Sequence, residues 1–173
     1  EAGYVTGMVG KWGLGKIGST GAPLSKGFDY FYGFINQTRA HNSYPDYVWE
    51  NEVIDSLDNV VLRVPDTFAS GIGGIATAKN TFIQDKFLEK TLRFLEQNKD
   101  TSFFLYLPYT LPHANNEARY WDSLGLEVPD FGIYENENWT PVQKAYAAMV
   151  SYLDKDVGTI MDALKKHGID ERT

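Results

Sequence analysis

The feature that most limits the fold is the run at residues 102–107, Ser-Phe-Phe-Leu-Tyr-Leu. A strand so continuously apolar is predicted to be covered on both faces, as in a parallel sheet. Helical patterns flank it. Upstream, residues 81–98 place Ile83, Phe87, Leu88, Leu92 and Leu95 on one face of an amphipathic helix. Downstream, Thr140-Pro141-Val142-Gln143 reads as a capping box with Pro in the first turn. Val142, Tyr146, Met149, Leu153, Val157, Ile160 and Leu164 then recur at steps of three and four, and Gly168 fits a C-terminal cap. Helix, buried strand and long helix in that order predict an α/β domain.

The first half of the chain is less periodic. Residues 4–9 alternate bulky and small side chains and read as a short buried strand. Residues 10–23 form a loop carrying Gly10, Gly13, Gly15, Gly18, Gly21 and Pro23. Residues 28–34 are aromatic and are expected to pack on the body. Residues 36–51 mix polar and aromatic types with no period. Residues 52–64 fit a hairpin turning at Leu57-Asp58-Asn59, and residues 70–74 fit a flexible surface loop. No repeat or low-complexity tract is visible.

Composition narrows the function. At 173 residues the chain can bury one real core. The net charge of -7 argues against a nucleic-acid partner, which needs a basic face. It leaves room for a small anion, since one lysine can dominate a small site. The absence of cysteine removes disulfides, thiolate metal sites and cysteine nucleophiles. No apolar run approaches a membrane span. Eleven Tyr and four Trp suit either a layered core or a surface that stacks on sugars or aryl groups.

One loop nearly matches two nucleotide signatures. Gly13-Leu14-Gly15-Lys16-Ile17-Gly18 has the G-x-G-x-x-G spacing, and residues 10–16 match the first part of a P-loop. Both chemistries need a helix to start at the loop so that its N–H groups meet phosphate. Ser19-Thr20-Gly21-Ala22-Pro23 will not hold one, and Ile17 stands where a P-loop needs Ser or Thr. Lys11 remains, at a strand exit, either a solvated loop lysine or an anion contact. His113, after Pro112 at the exit of the apolar strand, is placed for acid or polar-contact work or simply faces water. His41 and Asn42 lie among Tyr44, Tyr47 and Trp49, which either contact a sugar or pack. His167 ends the long helix, where it favours the dipole. The three histidines are too far apart for a local metal motif. Asn36-Gln37-Thr38 and Asn138-Trp139-Thr140 match glycosylation acceptors, triplets that are common by chance.

Joined together, the segments resemble the sulfatase family. They are Gly3-Tyr4-Val5-Thr6, then Gly10-Lys11-Trp12-Gly13-Leu14-Gly15, then Lys26-Gly27-Phe28-Asp29-Tyr30-Phe31-Tyr32-Gly33. Arg39-Ala40-His41-Asn42-Ser43-Tyr44-Pro45 with Val48-Trp49-Glu50-Asn51 is similar to bacterial arylsulfatase-like members. So are Phe103-Phe104-Leu105-Tyr106-Leu107 leading to Pro112-His113, and the stretch from Tyr146 to Gly158. The resemblance implies an alkaline-phosphatase-like sandwich with a mixed, largely parallel sheet flanked by helices. It implies hydrolysis of sulfate esters, aryl or carbohydrate, by a formylglycine made from Cys or Ser, with calcium holding the sulfate. It assigns Lys11 to sulfate contact and His113 to sulfate contact or leaving-group departure. His41 and Asn42 are placed near the substrate.

The departures bound that expectation. Gly13 stands where the family often has His. The motif Cys or Ser, x, Pro, x, Arg does not occur in the chain. The N-terminal Asp pair for calcium, the later Asp-Asn pair and the second lysine are not matched either, so no metal ligands are assigned. Residues 1–173 are therefore expected to be the middle portion of a sulfatase catalytic domain, inactive alone. Strand edges would favour self-association, and a periplasmic or secreted location follows by family. The alternatives are a phosphodiesterase or phosphonate hydrolase of the same superfamily, and a non-catalytic sugar-binding module.

Overall fold

The computed structural model describes residues 2–63, 73–120 and 124–173. In chain order the elements are β1 (Val5–Lys11), β2 (Tyr30–Phe34), β3 (Tyr47–Glu50), β4 (Val53–Ser56), β5 (Val60–Arg63), β6 (Gly74–Ala78), α1 (Ile83–Asn98), β7 (Phe103–Tyr106) and α2 (Pro141–His167), with short 3-10 turns between them. Five strands form one sheet in the order β4-β3-β2-β1-β7, and β5 pairs with β6 alone. β1 runs parallel to β2 and β7, whereas β2–β3 and β3–β4 are antiparallel. The α/β class and mixed sheet expected from the sequence are present.

The parallel half is stitched from both ends. At the start, the Thr6 N–H and hydroxyl donate to Asp29 Oδ2 at 2.8 and 2.9 Å. These two bonds, the backbone one first, hold the Asp29 carboxyl below its usual range. At the far end Gly10 pairs with Gly33. A Cβ on Gly33 would lie 1.9 Å from the Gly10 carbonyl oxygen, and Gly33 has φ +145°. Only glycine permits that approach.

α1 covers this half. Phe87 meets Tyr32 and Phe34 edge-on at 6.3 and 6.0 Å and stacks on Tyr109 at 5.7 Å. The Phe94 ring fills the space a side chain at Gly7 would need. The buried face of α1 is more polar than its leucine pattern predicts: it comprises Ile83, Gln84, Phe87, Lys90, Thr91, Phe94 and Leu95, whereas Leu88 and Leu92 are only half-buried. Lys90 is tolerated there because its ammonium reaches Glu50 at 2.7 Å and lies over the Tyr32 ring at 4.7 Å.

Three expectations are corrected. β7 is an edge strand covered on one face, with Phe104 and Tyr106 54% and 48% exposed. Its partner positions on β1, Thr6 and Met8, share that face, yet Met8 is fully buried. Cover is thus present at the sheet centre and thin at this edge. Of the expected hairpin at residues 52–64, residue 64 lies outside the described residues, and residues 52–63 do not pair with each other: β4 joins the main sheet and β5 pairs with β6. The reason is Asn59, a buried side chain that donates to the Pro45 and Thr81 carbonyls and accepts from the Asn80 and Thr81 N–H groups. It ties the connection to distant backbone instead of closing a local turn. Of the proposed surface loop, residues 70–72 lie outside the described residues, while Gly73 and Gly74 are buried and Gly74 begins β6.

α2 keeps its predicted ends. The Thr140–Gln143 capping box is formed, and Gly168 caps the other end at φ +67°. Its predicted stripe is only half buried. Met149 and Leu164 are inside, with Ala145, Ala148 and Asp156, but Val142, Tyr146 and Val157 are about half exposed. His167 ends the helix with Nε2 3.3 Å from Glu96 Oε2.

Candidate active site

Because β1, β2 and β7 are parallel, their carboxyl ends share one edge, where ligands bind in α/β sheets. Lys11 is the last residue of β1. Its N–H donates to the Pro108 carbonyl at 2.9 Å, and the next N–H, of Trp12, donates to the Phe34 carbonyl at 2.8 Å. Lys11 therefore leaves the sheet between the exits of β7 and β2, with its side chain partly exposed. The loop beyond is pinned by Trp12, whose Nε1 donates to the Gly21 carbonyl at 2.8 Å and whose ring meets Phe28 edge-on. No α-helix starts in this loop; residues 24–26 form only a 3-10 turn, so it builds neither nucleotide cradle.

The exits of β2 and β7 bring two distant histidines into contact. His41 closes the 3-10 turn Arg39–His41 after β2, and His113 follows β7. Their rings stack with centroids 5.0 Å apart and planes 8° from parallel. Behind His41 lies Glu117, 1% exposed, with its carboxylate oxygens 3.1 and 3.3 Å from His41 Nδ1. His113 Nδ1 lies 2.6 Å from the Ala114 carbonyl. A carbonyl only accepts, so Nδ1 of His113 carries the proton and Nε2 is the free nitrogen.

A second buried carboxylate joins the same two loops. Glu127 Oε2 accepts from the Ser43 N–H at 3.2 Å and from Asn115 Nδ2 at 3.3 Å, and Asn115 Nδ2 also donates to the Gly74 carbonyl. Lys79 supplies the counter-charge, 3.0 Å from Glu127 Oε1. Asn42 is 3% exposed; its Oδ1 accepts from the Tyr44 N–H at 2.8 Å, and its Nδ2 has no hydrogen-bond partner among the described residues.

The site thus assembles Lys11, His41 and His113 at one edge, with Asn42 buried beside them. The aromatic residues around His41 pack: Tyr44 is buried and the Arg39 guanidinium sits 3.6 Å over the Tyr47 ring. Burial, with the nearby Glu127 charge, pushes the Tyr44 hydroxyl well above its usual range. Glu117 and Glu127 escaped the sequence reading. The available signal was an acid four residues behind His113, but its partner His41 lies 76 positions away. Gly13 has φ +147°, and Gln37 Nε2 sits 2.6 Å from where its Cβ would be. A histidine here would need both a strained backbone and a displaced Gln37. The family-implied calcium has no matching donor set: among the described residues no three His, Asp or Glu side chains group to hold a metal.

The family model for sulfatases matches residues 1–173. The chain belongs to the sulfatase family. It is similar to an uncharacterised sulfatase of Schizosaccharomyces pombe, at 27% identity over 97% of this chain and 37% of that protein. It is 29% identical to the uncharacterised sulfatase YdeN of Escherichia coli, over 96% of this chain and 28% of that protein. An arylsulfatase of Klebsiella aerogenes matches at 25% identity over 100% of this chain and 43% of that protein. This sulfatase chain therefore spans less than half the length of these relatives. Its fold matches the crystal structure of Ps i-CgsB in complex with k-i-k-neocarrahexaose at TM-score 0.63 and 24% identity, covering 96% of this chain and 35% of that one.

Proposed function

We propose that this sulfatase chain forms the anion-contacting middle of a catalytic domain that hydrolyses sulfate esters. The observation that carries the proposal is the shared edge: Lys11 leaves β1 where the loops from β2 and β7 present His41 and His113. Lys11 supplies a fixed positive charge to sulfate oxygens. His113, its Nδ1 proton held by Ala114, offers Nε2 to the ester or leaving oxygen; protonated, it donates there and offsets developing negative charge. The substrate class is an aryl or carbohydrate sulfate, and the carrageenan oligosaccharide bound by the structural neighbour supports the glycan branch.

The nucleophile and the calcium ligands belong, in this reading, to segments that the chain does not contain. The isolated chain is then inactive, and the thin cover over Phe104 and Tyr106 favours its self-association, measurable by sedimentation. In a longer protein containing the chain, a formylglycine would supply the nucleophile, and a calcium ion would hold the sulfate that Lys11 contacts. A periplasmic or secreted location is part of the same proposal. The test is 4-nitrophenyl sulfate hydrolysis with calcium present. The 173-residue chain alone should show no turnover. In a longer protein containing it, Lys11→Ala should lower kcat/KM by about two to three orders of magnitude, the usual size for loss of one charge-stabilising contact. Unchanged kinetics would remove Lys11 from the site.

A further inference from the structure

We propose that Glu117 is a positioning residue for His113, acting through the stacked ring of His41. The inference rests on reading His113 as the group that meets the sulfate ester. His113 is exposed, and the one described hydrogen bond of its ring is to the neighbouring Ala114 carbonyl. One local bond fixes which nitrogen carries the proton but leaves the ring plane free to swing about that bond. The second constraint is the face of His41, parallel within 8° at 5.0 Å. His41 is itself held from behind, by a carboxylate that both its oxygens bring within 3.3 Å of Nδ1.

The chemistry of that contact is directional. A carboxylate accepts, so it places the proton of His41 on Nδ1 and leaves Nε2 with the lone pair in the neutral ring. A histidine whose rear nitrogen bonds a carboxylate is fixed in tautomer and orientation, the device that orients metal-bound and catalytic imidazoles. Here the oriented ring serves as a wall for a second imidazole. Both rings then have Nδ1–H engaged and, among the described residues, no hydrogen-bond partner at Nε2. The carboxylate is held in turn: the Glu117 N–H donates to Asn115 Oδ1 at 3.1 Å, and Gly73 lies against it so closely that a Cβ there would be 2.5 Å from Oε1. Gly73 is thereby read as space kept for the Glu117 carboxylate. The sulfate-contacting surface of the β7 exit is set by a residue that never touches substrate.

The experiment is imidazole nitrogen NMR on the uniformly ¹⁵N-labelled 173-residue chain. In the wild type, long-range proton–nitrogen correlations should show both His41 and His113 as Nδ1–H tautomers. Glu117→Met keeps the length and apolar body of the side chain and removes the acceptor. It should return His41 to the Nε2–H form that a free imidazole prefers, and speed exchange of the His113 Nδ1 proton about tenfold through the loosened stack. Glu117→Gln keeps an acceptor without charge and should retain the wild-type tautomers. A merely structural role for Glu117 would move neither ring signal. The proposal is overturned if wild-type His41 is the Nε2–H tautomer. It is equally overturned if Glu117→Met, with an unchanged backbone amide spectrum, leaves both rings as they were. Should Glu117→Met not fold, Gly73→Ala displaces the carboxylate by volume and must produce the same ring changes. These readouts need no turnover. Unchanged kinetics in Lys11→Ala would remove Lys11 from the proposed site and leave the tautomers to decide this inference separately.

Discussion

Two loops leave the same sheet edge and deliver their candidate site side chains in opposite ways. The β1 exit fixes Lys11 through backbone: its own N–H bonds Pro108, the next bonds Phe34, and Gly10 and Gly33 let the strands close without side chains between them. The β7 exit fixes His113 through side chains: a stacked histidine from another loop, a buried glutamate behind it, and the Asn115–Glu127–Ser43 bonds that join the two loops. A backbone-built position depends on close approach and tolerates no added atom. A side-chain-built position depends on partners far apart in sequence and is lost when one is removed.

The largest expected effect strikes the backbone-built exit. Gly33→Ala places a methyl 1.9 Å from the Gly10 oxygen at φ +145°, and should cost about 3–5 kcal/mol in a urea melt. A loss under 1 kcal/mol would show that the β1–β2 edge is not set by that approach. Gly13→His, which restores the residue common in the family, should cost about 1–3 kcal/mol for its φ of +147°. Adding Gln37→Ala should recover the steric part and not the backbone part; full recovery would mean the loop is not strained at this position. Gly73→Ala strikes the other exit. It should cost about 1–2 kcal/mol by overpacking against Glu117. The amide shifts of Lys11 and Trp12 should stay unchanged. Large shifts there would erase the distinction between the two loops.

The same division explains how much was legible in sequence. The place of Lys11 at a strand exit is legible because strand, lysine and glycine turn are contiguous. The ends of α2 were visible because Thr140, Gln143 and Gly168 act within a turn of themselves. Glu117 was invisible because its partner lies 76 residues away and an acid in a loop carries no local signature. The false hairpin at residues 57–59 fails for the same reason: a turn-forming Asn59 spends its bonds on Pro45, Asn80 and Thr81. The stripe on α2 overstated burial. Periodicity reports that Val142, Tyr146 and Val157 can share a face, but contact with α1 buries only part of that face.

The smallest effect lies in the helix layer beneath the β7 exit, where Tyr109 stacks on Phe87 and its hydroxyl pairs with Thr91 at 2.7 Å. Asp156 of α2 is buried there, hydrogen-bonded to Gln84 Nε2 at 2.6 Å. Burial raises its carboxyl above the usual range, more than the Gln84 bond lowers it, and the Asp85 charge raises it further. Asp85 is raised as well, by burial, against a smaller pull from Lys155. A carboxyl with a raised folded-state pKa binds its proton more tightly folded than unfolded. Its contribution is fully present below the unfolded value of about 3.8, and is lost as pH climbs through the folded value. Asp156→Asn removes that loss while keeping a partner for Gln84, whose Oε1 has no hydrogen-bond partner among the described residues. The variant should be more stable than the parent at neutral pH, and the gain should shrink toward zero as the melt is repeated at pH values falling below 4. A gain independent of pH would show that packing, not the buried charge, limits this layer. A loss at neutral pH would mean that the ionised carboxylate is itself what the Gln84 amide holds, and that the β7 exit rests on a charge instead of a neutral acid.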